Sequence, residues 1–130
     1  MPDSIPDAAA ELLTSGAHVA HLATSYADRP HVAPVWYDYR DGAVDIVTTG
    51  QKLDNIRRNP RVALSVQDTD EGAAQWGVTL RGTATVVADE DEAGEMHRRI
   101  NRRYGADEDE WPENTAVRIE VGSANYWTYD

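Results

Sequence analysis

Apolar and polar residues alternate with a period of two along most of the chain. Residues 18–26 (HVAHLATSY) place Val19, His21, Ala23 and Ser25 on one face and His18, Ala20, Leu22, Thr24 and Tyr26 on the other. That is the pattern of a half-buried strand. Strands are predicted likewise over 31–39 (HVAPVWYDY), 43–49 (AVDIVTT), 61–67 (RVALSVQ), 76–88 (WGVTLRGTATVVA) and 115–121 (TAVRIEV). ADRP and RDG are turns, and the Asp-Gly turn lays 31–39 antiparallel to 43–49. Pro34 inside a strand implies an unpaired edge or a bulge, and Gly82 marks a bulge or bend.

The period lengthens to that of a helix at three places. Residues 3–15 carry Ile5, Ala9, Leu12 and Leu13 on one stripe, with Ser4 as cap and Gly16 as stop. Residues 52–59 turn Leu53 and Ile56 inward and end at Pro60. Residues 89–104 start at a capping-box-like Asp89 and Glu92, bury Ala93, Met96, Ile100 and Tyr104, and stop at Gly105. Acidic loops (DTDEGAAQ and ADEDEWPEN) and an aromatic tail (NYWTYD) complete the chain. The expectation is a mainly β domain over 1–130. It has six antiparallel strands closing into a small barrel with short helices, since closure removes sheet edges. Strands not each followed by a helix argue against a doubly wound parallel sheet.

Charge changes the picture. The 130 residues carry 23 Asp and Glu against 11 Arg and a single Lys, Lys52, for a net charge of −11. Such a surface lacks the basic footprint of a nucleic-acid reader. It suits a cytosol of multimolar salt, where the Debye length falls to about 3 Å. A halophilic, haloarchaeal source is the reading adopted, with an ordinary acidic bacterial protein as the alternative. Cys is absent, which excludes disulfides, Cys-ligated metal and thiol catalysis. No apolar run reaches the roughly 20 residues of a membrane span, and no basic region precedes an apolar one at the N-terminus. A cytoplasmic chain is expected.

Common catalytic loops are missing: there is no G-x-x-x-x-G-K-[ST], no G-x-G-x-x-G and no nucleophile elbow. His18 and His21 fall on opposite faces of a strand and cannot chelate one metal, so no metal site is expected. The segment that stands out is T48-T49-G50-Q51-K52-L53-D54-N55-I56. Strand, Gly turn and helix N-terminus place backbone N–H groups, two Thr hydroxyls, a Gln amide and the lone Lys around one small volume suited to a phosphate. The competing role for Lys52 is a surface pair with a carboxylate such as Asp54. Beside this segment, H31-V32-A33-P34-V35-W36-Y37 offers exposed backbone and Trp36, which suits a flat heteroaromatic ring. Trp36 as ordinary barrel core is the competing role.

The two segments in this order, PVWYDYRDGAVDIVTTGQKLDNIRRNPRVALSVQD over 34–68, resemble the split β-barrel flavin and deazaflavin reductases, the superfamily that contains pyridoxamine 5′-phosphate oxidase. The portion K-x-x-N-I-R-R-N-P-R-V-A-L is the specific part. The resemblance implies a homodimeric Greek-key split barrel with FMN or the deazaflavin F420 at the dimer interface. It places the ring against Pro34, Val35 and Trp36, and the phosphate at Thr48, Thr49, Gln51 and Lys52. Trp76 and Arg81 are candidates for the wall supplied by the second subunit. Many members carry Arg or Ser before the Lys, where this chain has Gly50 and Gln51, one positive charge fewer. Arg57 and Arg58 are expected on the helix surface. The Arg-rich C-terminal motif of the true oxidases is replaced by NYWTYD, so that activity is not carried over.

The function implied is an oxidoreductase that moves a hydride to or from a small organic substrate. Tyr37, His31 and Tyr26 are the candidate proton donors. Two alternatives stay open: a flavin-, haem- or ligand-binding carrier or sensor without turnover, and a barrel that has lost its cofactor.

Overall fold

The computed structural model describes residues 5–129. The elements are α1 (Asp7–Thr14), β1 (Ala20–Tyr26), β2 (Arg29–Val35), β3 (Tyr37–Arg40), β4 (Ala43–Thr48), α2 (Gly50–Arg58), β5 (Arg61–Asp70), β6 (Ala73–Val86), α3 (Glu90–Arg103) and β7 (Thr115–Thr128). Three two-residue turns join β1 to β2, β3 to β4 and β5 to β6. Their central residues, Ala27-Asp28, Asp41-Gly42 and Glu71-Gly72, all have positive φ. That handedness matches the twist of the flanking strands.

All seven strands form one antiparallel sheet in the order β2-β1-β5-β6-β7-β4-β3. The two edge strands, β2 and β3, are consecutive in sequence and separated by Trp36 alone. One residue spans only about 3.5 Å, so the sheet must curl until its two edges meet. The result is a barrel split at Trp36.

This corrects the expected six strands and the single strand over 31–39. Residues 31–35 pair with β1, as in Val35 with Ala20, whereas Tyr37 pairs with Ile46 of β4. Pro34 sits on the edge strand β2, where a missing N–H costs no ladder bond. The acidic stretch 68–75, expected as a loop, is the far end of the β5–β6 hairpin. The aromatic tail extends β7, which pairs with β6 as far as Thr128 opposite Trp76. At Gly82 the irregularity is present: the register slips between Arg81 and Gly82, leaving Gly122 of β7 unmatched. A side chain on Gly82 would run into the Glu120 carbonyl oxygen and the Ile119 side chain.

The core fills the barrel with Leu22, Val44, Ile46, Leu64, Val66, Val78, Val117 and Ile119. Ile5, Ala9 and Leu13 of the α1 segment plug into the same core. The expected Ser4 cap lies outside the described residues, and Pro6 occupies the N-cap position. α3 begins as expected: Asp89 accepts from the backbone N–H groups of Asp91 and Glu92, and Gly105 stops the helix at φ +75.

α3 lies on the outer face of β3, β4 and β7, where Met96 and Ile100 are buried. An ion network fastens it there. Asp38 and Asp45 face each other across β3 and β4, and two opposed carboxylates repel. Arg99 of α3 bridges them, at 2.7 Å to Asp38 and 3.0 Å to Asp45. Arg118 of β7 meets the other side of Asp45 at 2.9 Å and reaches Glu92 at 3.2 Å. The hydrogen bond to Asp45 holds the Arg118 guanidinium above its usual pKa. Asp45 itself is 2 % exposed.

Among the described residues no helix is long and apolar enough to cross a membrane, and no group of three His, Asp or Glu side chains gathers as a metal site.

Candidate functional site

A cavity of about 410 Å³ opens at the split of the barrel. Pro34, Val35 and Trp36 form one wall, and Thr48, Thr49 and Lys52 form another. Six of the nine residues singled out from sequence therefore converge. The chain puts them together through its topology. The β2–β3 crossing brings Trp36 to the end of β4, and β4 runs directly into α2 at Thr48 and Thr49.

Trp36 is held rigidly. Its ring stacks on Tyr104 at 4.6 Å with planes 2° apart, and Trp111 lies edge-on to it at 5.5 Å. Offset and edge contacts of this kind suit the aromatic quadrupole. Tyr104 is fixed in turn: its hydroxyl donates to the His18 carbonyl and accepts from the Tyr37 N–H at 3.1 Å.

At the other wall, Gly50 turns the chain into α2 at φ +70, a conformation strained for any other residue. Thr49 is the N-cap, yet its side chain makes no capping bond, and no acidic residue stands in the first turn. The free N–H groups and the helix dipole thus favour an anion there. Lys52 is half-buried and has no carboxylate within 4 Å among the described residues. The Thr48 hydroxyl is buried without a hydrogen-bond partner. A buried hydroxyl costs free energy until a partner arrives, and Thr48 is one of the residues that line the cavity. Donors, one cation and a flat aromatic wall fit a phosphate-bearing heterocycle.

The remaining three sequence candidates lie elsewhere. Gln51 is exposed and donates to Asn55 Oδ1 at 2.8 Å, and Asn55 donates to Thr24 Oγ1 at 3.0 Å. Gln51 thereby helps hold α2 against β1 and does not line the cavity. Trp76 is 8 % exposed in this chain's own core, edge-on to His18 at 4.9 Å. Arg81 is exposed and lines a second cavity of about 530 Å³, with Arg61, Thr24, Ser25, Thr83 and Ser123. On α2, Arg57 and Arg58 are exposed, and Arg58 covers the Tyr26 ring at 4.9 Å.

The candidate proton donors are not in the cavity. The Tyr37 hydroxyl is spent on the Leu13 carbonyl at 2.6 Å, and burial pushes its pKa up to about 12. Burial also raises Tyr104. His31 and Tyr26 lie on β2 and β1, away from the lining.

Sequence reasoning missed five lining residues: Val19, Val47 of β4, Asn101 of α3, and Trp111 and Asn114 of the acidic loop. A polar residue beside the inner stripe was the only available sign of Asn101. Trp111, the one large apolar residue among the acids of 106–114, was the sign of the loop's role.

Among curated proteins, none shows significant sequence similarity to the chain. Solved structures resemble it over nearly the whole length. A conserved hypothetical protein from Mycobacterium tuberculosis matches with 25 % identity and TM-score 0.77, over 98 % of this chain and 88 % of that one. An F420 reductase matches with 25 % identity and TM-score 0.70, over 88 % and 94 %. The haem storage protein HutZ from Vibrio cholerae shares 14 % identity with TM-score 0.76, over 92 % and 91 %, a likeness of fold. The family described as pyridoxamine 5′-phosphate oxidase matches residues 5–128. The split barrel, the cavity at its seam and this match across almost every residue agree: the chain belongs to the pyridoxamine 5′-phosphate oxidase family.

Proposed function

We propose that the chain is an FMN- or F420-dependent oxidoreductase acting on a small organic substrate. The observation that carries the reading is the seam cavity, which gathers a fixed Trp36, a half-buried Lys52 and Thr48, whose buried hydroxyl has no partner. The cofactor's ring system would supply the hydride chemistry. The protein's own residues bind and orient. Lys52 and the first N–H groups of α2 neutralise the phosphate. Trp36, immobilised by Tyr104, gives the ring a flat surface without a rotamer to freeze, and Trp111 narrows access of water.

The proposal includes a homodimer. The outer face of β1, β2 and β5–β7 carries small side chains such as Ala23, Ala63 and Thr79, with Val32 66 % exposed. Arg81 lies on that face and is available to a partner's ring site. Trp76 is already committed to its own core. Closed two-fold association is the commonest way to bury such a face.

One observation favours a second reading, binding without turnover. Among the described residues Lys52 is the only ionisable side chain lining the cavity, so they offer its ring site no ordinary acid or base of matched pKa. A single experiment separates the two. The purified protein is titrated with FMN and with F420, and each complex is then reduced by NAD(P)H or by an F420-reducing system and exposed to acceptors. Reduction and reoxidation with turnover support the enzyme. Binding without either supports the carrier, and no binding of either cofactor rejects the proposal.

A further inference from the structure

Asn101 is completely buried and lies in the wall of the seam cavity. Its amide nitrogen donates to the Glu108 and Glu110 carbonyls of the acidic loop, each at 3.1 Å. Those two bonds decide which end of the amide is which, because a reversed amide would aim its oxygen at two carbonyl oxygens. The other end, Oδ1, is buried with no partner. Native proteins leave few such acceptors empty. An amide oxygen has no hydrogen to offer, so only a donor can satisfy it. Asn101 stands three residues before Tyr104 on α3, hence on the same helix face, and Tyr104 carries the stacked Trp36. The vacant acceptor belongs to a residue that lines the same cavity as Trp36.

We propose that Asn101 is a ligand-binding residue whose Oδ1 accepts a hydrogen bond from the ring N–H of a flat heterocycle of the imide class seated against Trp36. This rests on the reading of the cavity as a cofactor site and adds the residue that recognises the ring. It also ties ring recognition to the 105–114 segment, since the same side chain holds Glu108 and Glu110. Trp111 of that segment sits at φ +54, a conformation that a bulky residue keeps only when its neighbours hold it.

The test uses FMN and its N3-methyl derivative, which differ only in the imide hydrogen, titrated into the parent protein and into Asn101→Leu. The parent should bind FMN at least about tenfold more tightly than the methylated form. Asn101→Leu, similar in size but without an acceptor, should bind the two within about twofold of each other. Each contrast compares two ligands within one protein, so a uniform loss of affinity in Asn101→Leu cannot by itself create one. Where FMN does not bind, the same pair is built on the 8-hydroxy-5-deazaflavin ring. Equal binding of both ligands by the parent overturns the inference and leaves the cofactor reading standing. A preference that survives in Asn101→Leu is a steric effect and overturns it as well. Failure of the parent to bind either ring rejects the cofactor reading, and this inference with it.

Discussion

Asp45→Ala is the substitution through which the network under α3 is best measured. The carboxylate is 2 % exposed and contacts two guanidiniums, Arg99 at 3.0 Å and Arg118 at 2.9 Å. Removing one partner from a buried pair costs about 3–5 kcal/mol, because the charge left behind is uncompensated. Here each cation keeps another partner: Arg99 keeps Asp38 at 2.7 Å and Arg118 keeps Glu92 at 3.2 Å. Both cations are also partly solvated, so the cost falls to about 2–3 kcal/mol. A domain of 130 residues unfolds with an entropy of roughly 0.27 kcal/mol/K, from about 2.1 cal/mol/K per residue. The melting temperature should therefore drop by about 7–11 °C. Circular dichroism melts at one protein concentration measure it, in both low and multimolar salt. A shielded pair is screened little, so the drop should persist in high salt. A drop under about 2 °C, or one that vanishes in salt, would refute the reasoning.

Two other outcomes follow from particular residues. Tyr37 is held neutral up to about 12 against an unfolded value near 10. Its contribution to stability is thus complete below pH ~10 and lost as pH rises through about 12. Tyr37→Phe, which removes the bond to the Leu13 carbonyl, should cost about 1 kcal/mol at neutral pH and flatten that alkaline decline, as urea titrations across pH would show. The acidic clusters at Asp68-Asp70-Glu71 and Asp107–Glu110 should make the protein more stable in about 3 M than in 0.1 M salt. A melting temperature unchanged across that range would contradict the halophilic reading.

The sequence carried the barrel, its helices and the cationic wall because each is local. Alternation marks a strand, Thr49-Gly50 marks a turn into a helix, and Lys52 was conspicuous as the only Lys. The break at Trp36 was illegible for a physical reason. Inside–outside alternation runs unbroken from Val35 through Trp36 to Tyr37, while the exchange of partner from β1 to β4 is a tertiary fact. The tail was missed for a similar reason: its aromatics stay exposed, and only the length of β6 demands a partner there. Asn101 was not singled out, since burial of a polar side chain on a helix follows from the loop that folds over it, and its amide bonds the Glu108 and Glu110 carbonyls of that loop. Gln51 had the right position and the wrong direction, because Asn55 one turn later captures its amide.

The central claim is that the seam cavity holds a phosphate-bearing flavin or deazaflavin at Lys52, and calorimetric titration of FMN and F420 into the parent and into Lys52→Ala tests it most directly. Lys52 is half-buried and makes no ion pair among the described residues, so its removal should leave the melting temperature almost unchanged. Cofactor affinity should fall by about 1.5–3 kcal/mol, roughly 10- to 150-fold, and Lys52→Arg should keep part of it. Lys52→Ala binding as tightly as the parent would contradict the account and move the phosphate to another cation, with Arg57, Arg58 and Arg81 next to be tried.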